Sequence, residues 1–112
     1  MRHIAKLLNE KYGEGTVTLI IKEQYRNMKE KIEPCMHLID NAKKAVQQSG
    51  LNPKTVAIRG GTDGARLSFM GLPCPNLGTG GYAFHGPCEH ITVEGMDYAV
   101  ENLKNIVKLY AC

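Results

Sequence analysis

Thr55-Val56-Ala57-Ile58-Arg59-Gly60-Gly61-Thr62-Asp63-Gly64-Ala65-Arg66-Leu67-Ser68-Phe69-Met70 is the stretch on which the fold turns. Its first four residues are apolar and β-rich, and they predict a short buried strand. Arg59 to Gly64 then reads as a glycine turn, and Ala65 to Met70 as the start of an apolar segment. A strand, a glycine turn and a helix in that order make the usual ligand-facing edge of an α/β layer. Gly60 and Gly61 permit positive φ or close backbone approach. The stretch is not a phosphate loop, because neither G-x-x-x-x-G-K-[ST] nor G-x-G-x-x-G can be read in it. Two readings of Arg59 stand at this point. Its planar fork suits a carboxylate ligand, or it is a surface arginine or a structural partner of Asp63.

Outward from that edge, helix and strand patterns alternate. Leu38, Ile39, Ala42, Ala45 and Val46 recur at helical spacing and predict a helix from about Cys35 to Ser49, stopped by Gly50. Met96, Ala99, Val100, Leu103, Ile106, Val107 and Tyr110 form a longer stripe with Glu101, Lys104 and Lys108 opposite. Thr92 is placed to cap that helix, and Glu94 suits its first turn. Both stripes read as core. Toward the N-terminus, Ile4, Leu7, Leu8 and Tyr12 keep a helical period up to Gly13. Thr16 to Lys22 reads as a strand, and the charged run Gln24 to Glu33, closed by Pro34, reads as a linker and domain boundary. The sequence thus predicts an α/β layered fold with too few strands to close a sheet.

Composition narrows the function classes. The 112 residues suit a single domain, with 43% hydrophobic and 22% charged residues and a formal net charge of +3. The basic residues are dispersed and not interleaved with aromatics, which excludes a nucleic-acid groove. No apolar run approaches the ~18 residues of a membrane span. The start, Met1-Arg2-His3-Ile4-Ala5-Lys6, lacks a secretory pattern, so a cytoplasmic location is expected. Cys35, Cys74, Cys88 and Cys112 form no C-x-x-C pair, which argues for reduced thiols rather than structural zinc or disulfides. The string His85-Gly86-Pro87-Cys88-Glu89-His90 looks like a compact metal box, yet its spacing matches no standard self-contained site.

Eight of the 12 glycines fall between Gly60 and Gly86. The second cluster, Gly78-Thr79-Gly80-Gly81-Tyr82-Ala83-Phe84-His85-Gly86, follows Pro73-Cys74-Pro75-Asn76-Leu77, whose prolines favour extended backbone. From the residues alone, His85 is either a metal ligand or proton-transfer group, or a hydrogen-bonded loop histidine.

The run from Arg59 to Asn76 resembles the C-terminal signature of the peptidase T family. These are tripeptide aminopeptidases of the two-zinc metallopeptidase superfamily that includes carboxypeptidase G and aminoacylase. Thr79-Gly80-Gly81 through Phe84-His85-Gly86, then Glu89, Glu94-Gly95-Met96 and, upstream, Tyr25-Arg26-Asn27-Met28-Lys29-Glu30-Lys31 are similar to the same family. The resemblance extends in register over essentially the whole chain. It implies a zinc-binding α/β catalytic domain interrupted by an inserted ferredoxin-like α+β lid. Residues 1–26 would be the end of that lid, and residues 27–112 the C-terminal section of the catalytic domain.

By the same resemblance His85 is a zinc ligand, in an intact enzyme that carries two zinc ions. Arg59 grips the C-terminal carboxylate of a tripeptide, Gly60, Gly61 and Thr62 shape that pocket, and Asp63 stands behind them. The family's mechanism is attack on the first peptide bond by a metal-bridging water, with a glutamate as general base. That glutamate and the other metal ligands have no matching motif in this sequence, so the chain contains no catalytic residue of its own. It reads as an inactive C-terminal fragment whose partners are the missing N-terminal part of the enzyme and a tripeptide. Cut sheet edges and half of a core would also favour self-association. Two other readings remain open: a small carboxylate- or peptide-binding module without catalysis, and a non-functional truncated relic.

Overall fold

A computed structural model describes residues 1–58 and 60–111. Among the described residues there are five α-helices, α1 (Arg2–Tyr12), α2 (Lys29–Ile32), α3 (His37–Gln48), α4 (Asp63–Phe69) and α5 (Val93–Tyr110), with a 3₁₀ turn at Glu33–Cys35 between α2 and α3.

The helix ends follow from local chemistry. Thr62 and Thr92 are extended N-caps whose hydroxyls accept from the amides of Ala65 and Gly95, at 3.4 and 3.0 Å. Gly50 takes φ 79° after α3, and the Leu51 amide reaches back to the Val46 carbonyl at 3.2 Å. Gly71 does the same after α4 with φ 99°, and Leu72 bonds back to Leu67 at 3.0 Å. Both are left-handed helix stops that a side chain would strain.

The principal packing is α3 against α5. Leu38, Ile39, Ala42 and Val46 are half-buried and Ala45 is fully enclosed, as the α3 periodicity predicts. Asn105 is buried opposite, and its amide donates to the Ala45 carbonyl at 3.4 Å and to the Ser49 hydroxyl at 3.1 Å. The Ala45 carbonyl, which already accepts from the Ser49 amide and hydroxyl, thereby takes a further donor from the facing helix.

A smaller contact joins α2 to α4. The Arg26 guanidinium lies over the Phe69 ring at 4.7 Å and the Lys31 ammonium at 5.4 Å. Ile32 is buried. Within the charged run read as a linker, Lys29–Ile32 form a helical turn, and the Arg26 and Lys31 cations cover an aromatic ring. Ser68, buried within α4, donates to the Gly64 carbonyl at 2.7 Å and accepts from the Cys74 amide at 2.9 Å. It folds the proline-rich segment back along its own helix.

The strand expectations are corrected. Among the described residues neither Thr16–Lys22 nor Thr55–Ile58 forms a strand, and the regular elements are helices rather than an α/β layer. A strand exists through backbone hydrogen bonds to a neighbouring strand, and among the described residues neither segment has such a ladder. At Val17 the Asn9 side chain takes the neighbour's place: its oxygen accepts the Val17 amide at 2.7 Å and its nitrogen donates to the Val17 carbonyl at 3.0 Å. An isolated antiparallel bridge, Tyr82 to His90, is the β pairing present among the described residues.

The core reading of α5 is also corrected. Ala99 and Ile106 turn toward the buried side, but Met96, Val100, Leu103, Val107 and Tyr110 are exposed. The apolar residues span more of the helix than α3 covers. Large fully buried side chains are absent among the described residues, and the radius of gyration is 20.3 Å against about 13 Å for a compact chain of this length.

Ser68→Ala removes the acceptor of a partly buried backbone amide, so it should cost about 1–3 kcal/mol. Urea unfolding followed by helix ellipticity checks this, with a shift of midpoint at unchanged slope as the expected result.

Candidate functional site

Two loops carry the residues singled out by the sequence. The first is the turn into α4. Arg59 lies outside the described residues, so neither its carboxylate-gripping role nor a pairing with Asp63 can be placed. Gly60 has φ 93°, a conformation that glycine adopts without strain. Gly61 lies directly beneath the Tyr25 ring, where a Cβ would overlap the ring carbons. Thr62 caps α4, and its hydroxyl also accepts from the Asn76 amide at 3.1 Å. Asp63 occupies the first turn of α4, where a carboxylate complements the helix dipole. Gly64 is buried against the Cys74 carbonyl, which leaves no room for a side chain.

The second loop runs from Gly78 to His90. Gly80 has φ 82° and packs against the Gly95 backbone, so the loop meets the start of α5 through two residues without side chains. The Phe84 ring lies against Gly81. The Tyr82 and His90 rings stack at 5.3 Å with 17° between their planes, and Tyr82 and His90 exchange both backbone hydrogen bonds. The His90 Nδ1 sits 2.8 Å from the Cys88 carbonyl. His90 thus closes the loop, which is a structural role.

His85 stands at the tip of this closed loop and is exposed. Its φ is +64° and that of Ala83 is +53°, both left-handed and both uncommon for residues with a Cβ. The Glu89 carboxylate accepts the His85 amide at 3.0 Å, and the Glu89 amide in turn donates to the Gly86 carbonyl at 3.1 Å. A side chain four residues away thereby fixes the backbone that presents the imidazole. Left-handed non-glycine residues held this way concentrate at functional sites.

The loop lacks a ligand set of its own. Among the described residues no three His, Cys, Asp or Glu side chains are grouped to hold a metal ion, whereas zinc takes at least three protein ligands. One imidazole ring is on offer, with its backbone braced. No hydrogen bond, ion pair or ring contact joins the Gly60–Asp63 turn to the His85 loop among the described residues.

Sequence reasoning missed Tyr25 and Asn76 as partners of the glycine turn. It quoted Glu89 only as part of a motif. Gly61 and Gly64 carried the signal that something approaches closely, but not which residue does. Elsewhere, a groove of ≈ 390 Å³ lies between α1 and the extended chain, lined by Arg2, Ala5, Asn9, Val17, Leu19 and Ile21. It contains none of the singled-out residues.

The chain is 62% identical over 108 residues to peptidase T of Clostridium perfringens, covering 96% of this chain. It is 57% identical over 111 residues to peptidase T of Clostridium novyi, and 51% identical over 111 residues to that of Desulfitobacterium hafniense. In each case the chain spans about 27% of the length of the curated relative it matches. No family model matches the chain.

Glu89→Ala should release the His85 amide. The expected outcome is faster amide hydrogen exchange at His85 and Gly86, at unchanged protection in α3 and α5. Unchanged exchange at His85 would show that the left-handed turn holds itself.

Proposed function

Taking as premise that the chain belongs to the peptidase T family over the stretch it covers, we propose that it is the C-terminal part of a zinc-dependent tripeptide aminopeptidase. Its role is to supply one metal ligand and part of the peptide pocket to a site completed by the rest of that polypeptide. The observation that carries this reading is the presentation of His85. An exposed imidazole on a left-handed residue, braced by Glu89 and flanked by Gly86, is a backbone arrangement suited to close approach of a metal.

In this reading residues 1–26 end an inserted lid and residues 27–112 belong to the catalytic domain. His85 holds zinc through a ring nitrogen, together with side chains that the rest of the polypeptide contributes. Zinc, when bound in a complete site, supplies polarisation of the scissile carbonyl and an activated water. The chain's own residues bind and orient. Arg59 takes the peptide carboxylate as a fork of two parallel hydrogen bonds. Gly60 lets the peptide approach the backbone, Gly61 shapes the pocket by admitting the Tyr25 ring, and Thr62 and Asp63 hold the turn through the α4 N-terminus. No step of proton transfer is assigned to this chain, and the general base belongs to the remainder. The isolated chain is accordingly inactive, and the setting is cytoplasmic.

A carboxylate-binding module without chemistry is the second reading, favoured by the self-contained cap and Asn76 hydrogen bonds around Thr62. Titrating a tripeptide against the isolated chain and against Arg59→Ala separates the two. Binding that Arg59→Ala abolishes, with no turnover, favours the module.

For the enzyme reading, the isolated chain should retain no stoichiometric zinc after dialysis and should not cleave tripeptides. Joined to the remainder of the Clostridium perfringens enzyme in place of the matching segment, it should restore cleavage. His85→Ala in that chimera should lower zinc content and reduce kcat at least a hundredfold. Full zinc loading and full turnover in His85→Ala would overturn the assignment.

A further inference from the structure

Helix α5 has three sides, and only two of them have an explanation within the chain. The first holds Ala99, Asn102, Asn105, Ile106 and Leu109, all buried or half-buried, with Asn105 bonded to α3. The second holds Glu101, Lys104 and Lys108, where both ammonium groups approach the Glu101 carboxylate, at 3.5 and 3.9 Å. The third holds Met96, Val100, Leu103, Val107 and Tyr110, spaced by four, three, four and three residues. At about 100° per residue this row runs along the helix, roughly 115° round from the side that meets α3. Its members are 46–67% exposed, Met96 the least and Val107 the most. A continuous apolar row of this length bordered by charges marks an interaction surface.

We infer that this row is a docking face for the part of the peptidase T polypeptide that lies outside this chain, an inference that rests on the family reading above. Three observations choose that occupant over a second copy. The chain spans about 27% of its relatives' length, so those relatives carry a large further body of polypeptide of the kind that would cover it. The accessible surface is 9228 Å², whereas a compact monomer of 12.4 kDa exposes about 6,100 Å². An excess of that size matches an obligate interface rather than a transient encounter. Finally, exposed apolar residues recur on separate elements: Ile4, Leu7 and Tyr12 on α1, Leu67 on α4, and the α5 row. A two-fold dimer covers one patch with its own copy, whereas a polypeptide several times larger can cover all three.

The occupant is therefore an apolar, uncharged face, wide enough for a four-turn helix. Glu101, Lys104 and Lys108 remain at its rim in contact with water.

The test co-produces this chain with a tagged remainder of the Clostridium perfringens enzyme, and compares it with the double variant Leu103→Lys, Val107→Lys. Lysine favours helix at least as well as the residues it replaces, and both sites are exposed here. Helix ellipticity of the isolated chain should therefore be unchanged. The wild-type chain should co-purify in a one-to-one ratio, the double variant at least tenfold less, and Lys104→Glu as the wild type. A second arm joins the two parts in one polypeptide, where the double variant should lower the Tm by roughly 10 °C. Equal co-purification of the variant, or an unchanged Tm in the joined protein, overturns the docking face. So does self-association of the isolated chain that depends on the same two residues without any heterocomplex. A stripe-dependent heterocomplex that neither holds zinc nor cleaves tripeptides supports the docking face and overturns the enzymatic reading instead.

Discussion

The Asn105 amide, held between the Ala45 carbonyl and the Ser49 hydroxyl, is the interaction on which the described structure depends. It spans 60 residues of sequence and fixes α5 against the C-terminal end of α3. Everything between these helices, including both glycine loops, is a closed excursion from that junction. Closing a loop of this length costs about 3.6 kcal/mol in chain entropy. The enclosed Ala45 and the satisfied amide offset that cost within a contact too small to contain a large side chain.

The excursion is organised by a second tier of local bonds. Ser68 ties α4 to the segment that follows it, and Thr62 joins the cap to Asn76. Gly80 and Gly95 let the second loop rest on the start of α5. These bonds position the two loops separately. The His85 turn is braced from within by Glu89 and closed by the Tyr82–His90 pair, while the first turn is covered by Tyr25.

What could be read in the sequence was what is local. Thr62 and Thr92 act within three residues, and Gly50 and Gly71 within five, so caps and stops follow from residue type. The α3 stripe was legible because a single period of 3.6 describes it. The strands at Thr16–Lys22 and Thr55–Ile58 failed because β-rich composition specifies a capacity to pair, not a partner. The α5 stripe failed as core for a related reason: apolar periodicity identifies a face that avoids water but not the chain that covers it. Around the candidate site, the glycine setting made the loop that carries His85 legible as a loop. Tyr25 over Gly61 and Glu89 beneath His85 were not, since neither contact has a spacing rule. The family resemblance supplied the remaining roles, and sequence identity to the peptidase T relatives bears out the resemblance itself.

The sixty-residue span of the Asn105 contact also sets an order of events at the ribosome. Ala45 is translated well before Asn105, and at ~5–20 residues per second the interval is roughly 3–12 s. During that time α3 is complete, capped by Gly50, and has no neighbour for its apolar side. Both glycine loops emerge before the helix that will anchor them. The nascent chain therefore passes through a stage in which its best-formed helix is also its most adhesive, and that stage ends only when α5 leaves the exit tunnel.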